Sequence, residues 1–292
     1  MTQITPRYIT ANGACYEQYV ITAPEAKTAL TITPERGGMI TSFTLDGEEF
    51  VWTRRPNFSE CNRPRFGVPV LFPSCGNPDN GVHIFGGKAY PMETHGFADL
   101  CAWEVDSVGP DGVTLALEST PLTKFLYPFD FTLLLNYNLE GNKALVSLTV
   151  INEGSTDMPF SFGYHPYFTA SKLENVEFDI KCATCSDNAK GEQPAAPETI
   201  TLTRKEGSAD SIRLMTGVKS PMRLTDSGSG HTVEVAFDES VFTNGVLWQQ
   251  DAETFVCTEP WNGWANSVNE AGRHIELAPG ASKTFAWSIT IG

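Results

Sequence analysis

Histidine is scarce in this chain. Only His83, His95, His165, His231 and His274 occur in 292 residues, so few side chains can exchange a proton near neutral pH without a shifted pKa, and each can be weighed on its own. Basic residues are also few, 20 Lys and Arg against 35 Asp and Glu, for a formal charge of −15. That balance speaks against a nucleic-acid partner, because binding to a phosphate backbone rests on clustered cations. It gives no attraction to anionic membranes either, and it suits a neutral small ligand. No apolar run approaches the roughly 18 residues of a spanning helix. The opening residues Met1-Thr2-Gln3-Ile4-Thr5-Pro6-Arg7 have no apolar signal core. The seven cysteines are scattered and odd in number, unlike a disulfide framework. Together these absences predict a cytoplasmic protein with reduced thiols. Cys182-Ala183-Thr184-Cys185 has zinc-knuckle spacing, but no second pair accompanies it, so it reads as two core or turn thiols and no metal is expected.

Helical periodicity is missing too, as are internal repeats and low-complexity tracts. What is present is alternation. Phe131, Leu133, Leu135, Tyr137 and Leu139 share one face, and after Glu140-Gly141-Asn142 the pattern resumes at Ala144, Val146, Leu148 and Val150. This is a β-hairpin whose turn carries the glycine. Val113, Leu115 and Leu117 follow Asp111-Gly112 as another strand, and Phe285, Trp287, Ile289 and Ile291 form one near the C-terminus. Asp46-Gly47 between Ile40–Leu45 and Glu49–Trp52 is a further hairpin signature. Short strands punctuated by Gly, Asp and Asn predict an all-β fold, a large antiparallel β-sandwich with few short helices, formed by residues 1–292 as a single domain. The polar stretch Ser186–Thr199 reads as a surface loop.

Four segments stand apart from ordinary strand sequence. Arg65–Asn77 packs turn formers around Pro69-Val70-Leu71-Phe72-Pro73 and ends in a polar side chain. Thr94-His95-Gly96-Phe97-Ala98 sets a histidine before a glycine, so the backbone can turn sharply beside it. Ser161-Phe162-Gly163-Tyr164-His165-Pro166-Tyr167-Phe168 holds one imidazole inside an aromatic run. Val246–Gln250 and Phe255–Trp261 bring a carboxylate, Glu259, out of an apolar strand directly before a proline. Its neighbours Phe255, Val256, Cys257, Pro260 and Trp261 would desolvate it and favour its neutral form. Read singly, His165 is a satisfied core histidine before it is a functional one, and Glu259 is a strand-end carboxylate as readily as a base.

In this order the four segments, with Pro34-Glu35-Arg36-Gly37-Gly38-Met39-Ile40 ahead of them, resemble the aldose 1-epimerase (galactose mutarotase-like) family over most of the chain. The resemblance implies a galactose mutarotase-like supersandwich with a shallow cleft, and interconversion of the α and β anomers of a free aldohexose by acid–base ring opening. It implies His165 as general acid and Glu259 as general base, with His95 polarising the sugar near its ring oxygen. Arg65 would contact hydroxyls, and Trp248, Trp261 or Tyr167 could stack on the apolar sugar face. Asn77 stands where many relatives carry arginine and is expected on the substrate. Asp99 replaces a basic residue common after His-Gly-Phe-Ala and would repel a phosphate, although Arg54, Arg55, Arg63 and Arg65 cluster nearby; most of these read as solvated loop charges. No cofactor is implied, and the chain is expected to be a monomer or homodimer. Two alternatives stay open: a hexose-6-phosphate 1-epimerase, and a non-catalytic sugar-binding or regulatory protein. A glycoside hydrolase ranks low, since it needs two carboxylates about one bond. No sequence signal marks a third acidic residue; Asp187 and Asp238 are candidates only.

Overall fold

The computed structural model describes residues 2–11, 13–53, 58, 62–110, 112–187, 193–203, 208, 210–250 and 254–292. Arg54, Arg55, Cys61 and Asp111 lie outside them. Antiparallel strands dominate, as the alternation predicts, and the one α-helix among the described residues is Pro121–Leu126. No helix among the described residues is long and apolar enough to cross a membrane.

The most regular layer is an eight-stranded sheet in the order Val176–Asp179, Met222–Asp226, Thr232–Phe237, Ser282–Ile291, Lys143–Asn152, Phe131–Glu140, Gly112–Glu118, Glu104–Val108. Phe131–Glu140 pairs with Lys143–Asn152 without a register break, and Gly141 takes φ 60° at the first loop position, as a type II′ turn requires. Every second residue of these strands is buried. Their apolar face meets a seven-stranded sheet running Thr184–Ser186, Asp210–Thr216, Asn244–Gln250, Phe255–Trp261, Gly163–Tyr164, Val70–Leu71, with Tyr167–Thr169 added against Phe255–Trp261. Phe162 packs on Phe285 (centroids 4.5 Å apart) and Tyr164 on Trp287 (4.3 Å), so aromatic pairs weld the two layers.

A five-stranded sheet, Gln3–Ala11, Ala14–Ala23, Thr28–Thr33, Met39–Leu45 and Glu48–Glu49, extends the same apolar core through Ile21, Leu30, Ile32, Ile40 and Phe43. Tyr137 Oη donates to the Gly38 carbonyl at 2.6 Å, tying it to the eight-stranded sheet. Asp46 and Gly47 both have positive φ, the two-residue type I′ loop expected of Asp-Gly. The arm after it is shorter than the sequence suggests: it ends at Glu49, and Val51 bridges to Phe168 instead. Trp52 N–H donates to Tyr167 O, and Thr169 N–H to Phe50 O. Tertiary pairing thus captures this segment for the layer that carries the cleft.

Candidate functional site

The strand Phe255–Trp261 is buried throughout, and its two faces have different tasks. Val256 joins the main core. Phe255, Cys257, Glu259 and Trp261 take the opposite face, beneath a cleft of about 590 Å³. Glu259 is only 1% exposed. The Trp261 indole N–H donates to its Oε2 at 3.0 Å, which fixes the carboxyl plane. Gly163 lies opposite Trp261 in register, where a Cβ would come within 2.8 Å of the indole and 2.9 Å of the Pro260 carbonyl. The glycine therefore lets the His165 segment lie flat against the Glu259 strand.

That segment uses pleat parity to divide its aromatics. Phe162 and Tyr164 enter the core; His165 and Tyr167 line the cleft. The His165 amide donates to Pro69 O at 3.0 Å. Its ring stacks on Tyr167 at 4.8 Å and 17°, and meets Trp248 edge-on at 5.7 Å and 80°. So gripped, the imidazole places Nε2 at 3.4 Å from Glu259 Oε1.

His95 arrives from the other side on a loop in which both it and Gly96 adopt left-handed backbone, φ 69° and 77°. A Cβ on Gly96 would lie 2.1 Å from the Phe72 carbonyl, so only glycine fits. The His95 amide donates to Gly76 O at 2.7 Å, and its Nδ1 accepts from Gly76 N–H at 2.9 Å. Because Nδ1 is an acceptor, the proton of the neutral ring sits on Nε2 and is available as a donor. The ring lies 5.4 Å, centroid to centroid, from that of His165 and 5.5 Å from that of Trp261.

Burial sets the protonation of this group. It lowers His165 to about 3, with Arg63 and Arg65 acting in the same direction. It lowers His95 well below the ordinary histidine value, helped by His165 and Arg63. It raises Glu259 well above the carboxylate range, against the pull of the Trp261 N–H. Burial thus disfavours the charged form of each group, so a neutral imidazole facing a neutral carboxyl is favoured over the ion pair.

All six residues singled out in the sequence, His95, His165, Glu259, Arg65, Asn77 and Trp248, line this one cleft. Arg65 is exposed at the rim and donates to Gln250 Oε1 at 2.7 Å. Asp187 and Asp238 do not line the cleft; Asp238 instead accepts from Ser240 N–H and Oγ–H in its own turn.

Sequence reasoning undervalued Arg63 and did not foresee its pairing with Asp99. Arg63 is not a solvated loop charge. Its guanidinium donates to both Asp99 oxygens, at 2.6 Å to Oδ2, and to the Gly96 carbonyl at 2.8 Å, beside His95. Asp99 is buried and its carboxyl is raised to about 6 by desolvation, with Arg63 holding it down. The feared isolated carboxylate is thus half of an ion pair under the histidine loop.

Comparison with known proteins agrees with this fold. The chain matches the aldose 1-epimerase family over residues 18–290. It is similar to the plasmid-encoded protein LacX of Lactococcus lactis subsp. lactis, 26% identical over 277 residues that cover 85% of this chain and 89% of that protein. Among solved structures it resembles the Slr1438 protein of Synechocystis sp. PCC 6803, with a TM-score of 0.87 and 27% identity over 94% of this chain and 95% of that one. A galactose mutarotase related enzyme of Lactobacillus acidophilus shares the fold at a TM-score of 0.78 and 23% identity, covering 99% of this chain and 97% of that one. With the family matched across nearly the whole sequence, and the fold with it, this chain belongs to the aldose 1-epimerase family.

Proposed function

We propose that the protein is an isomerase that interconverts the α and β anomers of a free aldohexose, with His165 as acid and Glu259 as base. The observation that carries this reading is the 3.4 Å separation of His165 Nε2 and Glu259 Oε1 in one cleft. In a cyclic sugar the hydroxyl and the ring oxygen that exchange protons are bonded to the same carbon, C1. Two groups about one hydrogen-bond length apart can address both without moving.

Ring opening takes the proton of the C1 hydroxyl to Glu259 and delivers one from His165 to the ring oxygen. The C1–O5 bond breaks and C1 becomes an aldehyde. Rotation about C1–C2 presents the other face, and the same transfers in reverse close the ring. The pair enters as carboxylate and imidazolium and leaves as carboxyl and imidazole, so its proton count never changes. Burial favours the second state, the one that accompanies the open chain. His95 donates from Nε2 towards the ring oxygen and lowers the cost of charge developing there. Tyr167 and Trp248 offer faces for the apolar side of the sugar.

A free sugar is preferred because Asp99 neutralises Arg63 and adds no positive charge to the cleft. One observation favours a second reading. Arg65 is exposed at the rim, and no ion-pair partner for it is seen among the described residues, so it could meet a hexose 6-phosphate. Freshly dissolved α-D-glucose, α-D-galactose and glucose 6-phosphate, followed by polarimetry, decide between these. Catalysed exchange of the free hexoses supports the first reading, and exchange confined to the phosphate supports the second. Binding without exchange of any would overturn both and leave a sugar-binding protein.

A further inference from the structure

The floor of the cleft carries a third group that anomer exchange does not use. Cys257 sits two residues before Glu259 on the same strand face, fully buried, with a free thiol. A His165 ring nitrogen, a Glu259 carboxylate oxygen and Cys257 Sγ all lie within 4.8 Å of one another. Among the described residues no other set of three His, Cys, Asp or Glu side chains converges in this way.

One imidazole, one carboxylate and one thiolate make a donor set of the kind that binds zinc tetrahedrally, at about 2.0–2.3 Å each. Ligand atoms in such a shell stand roughly 3.3–3.8 Å apart. The His165–Glu259 separation of 3.4 Å already meets that spacing, and the sulfur would need to approach by no more than roughly 1–1.5 Å. Burial keeps the imidazole unprotonated, which leaves its lone pair free for a cation. Burial also holds Glu259 and Cys257 in their protonated forms. A dication with one carboxylate and one thiolate is neutral as a unit, however, so the same desolvation does not oppose the assembled set. His165 and Glu259 both line the cleft, which leaves the fourth position for water or a sugar hydroxyl.

We propose that His165, Glu259 and Cys257 form a three-ligand site for a thiophilic divalent cation of the zinc type, whose occupancy silences the enzyme by taking its imidazole and carboxylate. Loading exchanges protons for metal: the Glu259 carboxyl and the Cys257 thiol each lose one, and no oxidation state changes. Binding therefore tightens as pH rises. The inhibitory half of the proposal rests on the proton-transfer roles given above; the binding half does not.

Co²⁺ titrated into the full chain tests the binding half by absorption. The wild type should show a thiolate-to-cobalt charge-transfer band in the near ultraviolet together with tetrahedral visible bands. Cys257→Ser should remove the charge-transfer band and weaken Zn²⁺ inhibition of anomer exchange about tenfold to a hundredfold, with the metal-free rate unchanged. The double variant Cys182→Ser/Cys185→Ser should keep both band and inhibition. Should Cys257→Ser not fold, the wild type still decides: about two protons are released per ion near neutral pH, and release of none overturns the site. So does absence of the band in the wild type, or its persistence in Cys257→Ser. A wild type that shows the band but exchanges no sugar refutes the proposed function and leaves the metal site standing; exchange without the band does the opposite.

Discussion

The two large sheets are built from the same residue types to opposite ends. At the centre of the eight-stranded sheet the ten-residue strands Phe131–Glu140 and Lys143–Asn152 pair along their whole length, and every second side chain is buried. Nothing in it can be aimed, because the pleat dictates every direction. The seven-stranded sheet includes strands of two and three residues, Val70–Leu71, Gly163–Tyr164 and Tyr167–Thr169, separated by prolines and glycines. Where its pairing breaks, the loops deliver His95, His165 and Arg63 to one place. The regular sheet serves as the wall against which the irregular one is held rigid. Function and regularity are divided between layers.

Substitutions on the two sheets should therefore fail in different ways. The largest effect belongs to the cleft. His165→Ala and Glu259→Gln should each lower kcat/KM for anomer exchange by about 10²–10⁴-fold, or roughly 3–5 kcal/mol of transition-state stabilisation. Both variants should still melt cooperatively as folded proteins, because neither residue belongs to the main apolar core. A variant with its wild-type rate would end the assignment of roles. Next comes Leu135, fully buried at the centre of the eight-stranded sheet. Leu135→Ala should lower unfolding free energy by about 2–5 kcal/mol in denaturant melts, while kcat/KM of the folded fraction stays within about twofold of wild type. A large loss of rate there would mean that the wall and the cleft are coupled.

The regular sheet was legible because period-two alternation and glycine turns are local signals, and Gly141 sits where its turn requires, as Asp46-Gly47 does in the five-stranded sheet. The pair His165 and Glu259 was legible through the order of the segments that carry them, although neither segment alone distinguished a functional group from a core one. The Arg63–Asp99 pair was not. Its partners are 36 residues apart and nothing in their neighbours predicts contact, so Arg63 was read with the loop charges and Asp99 only as a carboxylate that would repel a phosphate. Cys257 was likewise one apolar residue among others until register placed it across from Trp248 and beside Glu259. The helix Pro121–Leu126 has a Thr120 capping box and a proline at its first turn. Six residues, however, are too few for helical periodicity to show.

The smallest effect is the most discriminating, because it isolates that unforeseen pair. On the acid side of neutrality the His165–Glu259 pair should contribute no inflection to kcat/KM. Its single proton stays in place until His165 takes a second at about 3, and Glu259 holds its own well above the ordinary carboxylate range. Asp99, in the same cleft, is raised to about 6. As pH falls through that value its carboxylate is neutralised, Arg63 loses its ionic partner, and the loop that carries His95 loses part of its anchor. The wild-type rate should decline about threefold to tenfold between roughly pH 7 and 5. Asp99→Asn should run at the lower rate throughout and show no inflection. The sign of the linkage separates this from acid unfolding. A carboxyl whose folded pKa is raised binds a proton more readily in the folded chain, so this group's own contribution favours the fold as pH falls and is lost as pH rises through about 6. Melting curves at both ends of the range provide the check. An inflection that survives in Asp99→Asn would return the titration to His165 or Glu259 and remove the Arg63–Asp99 pair from the working site.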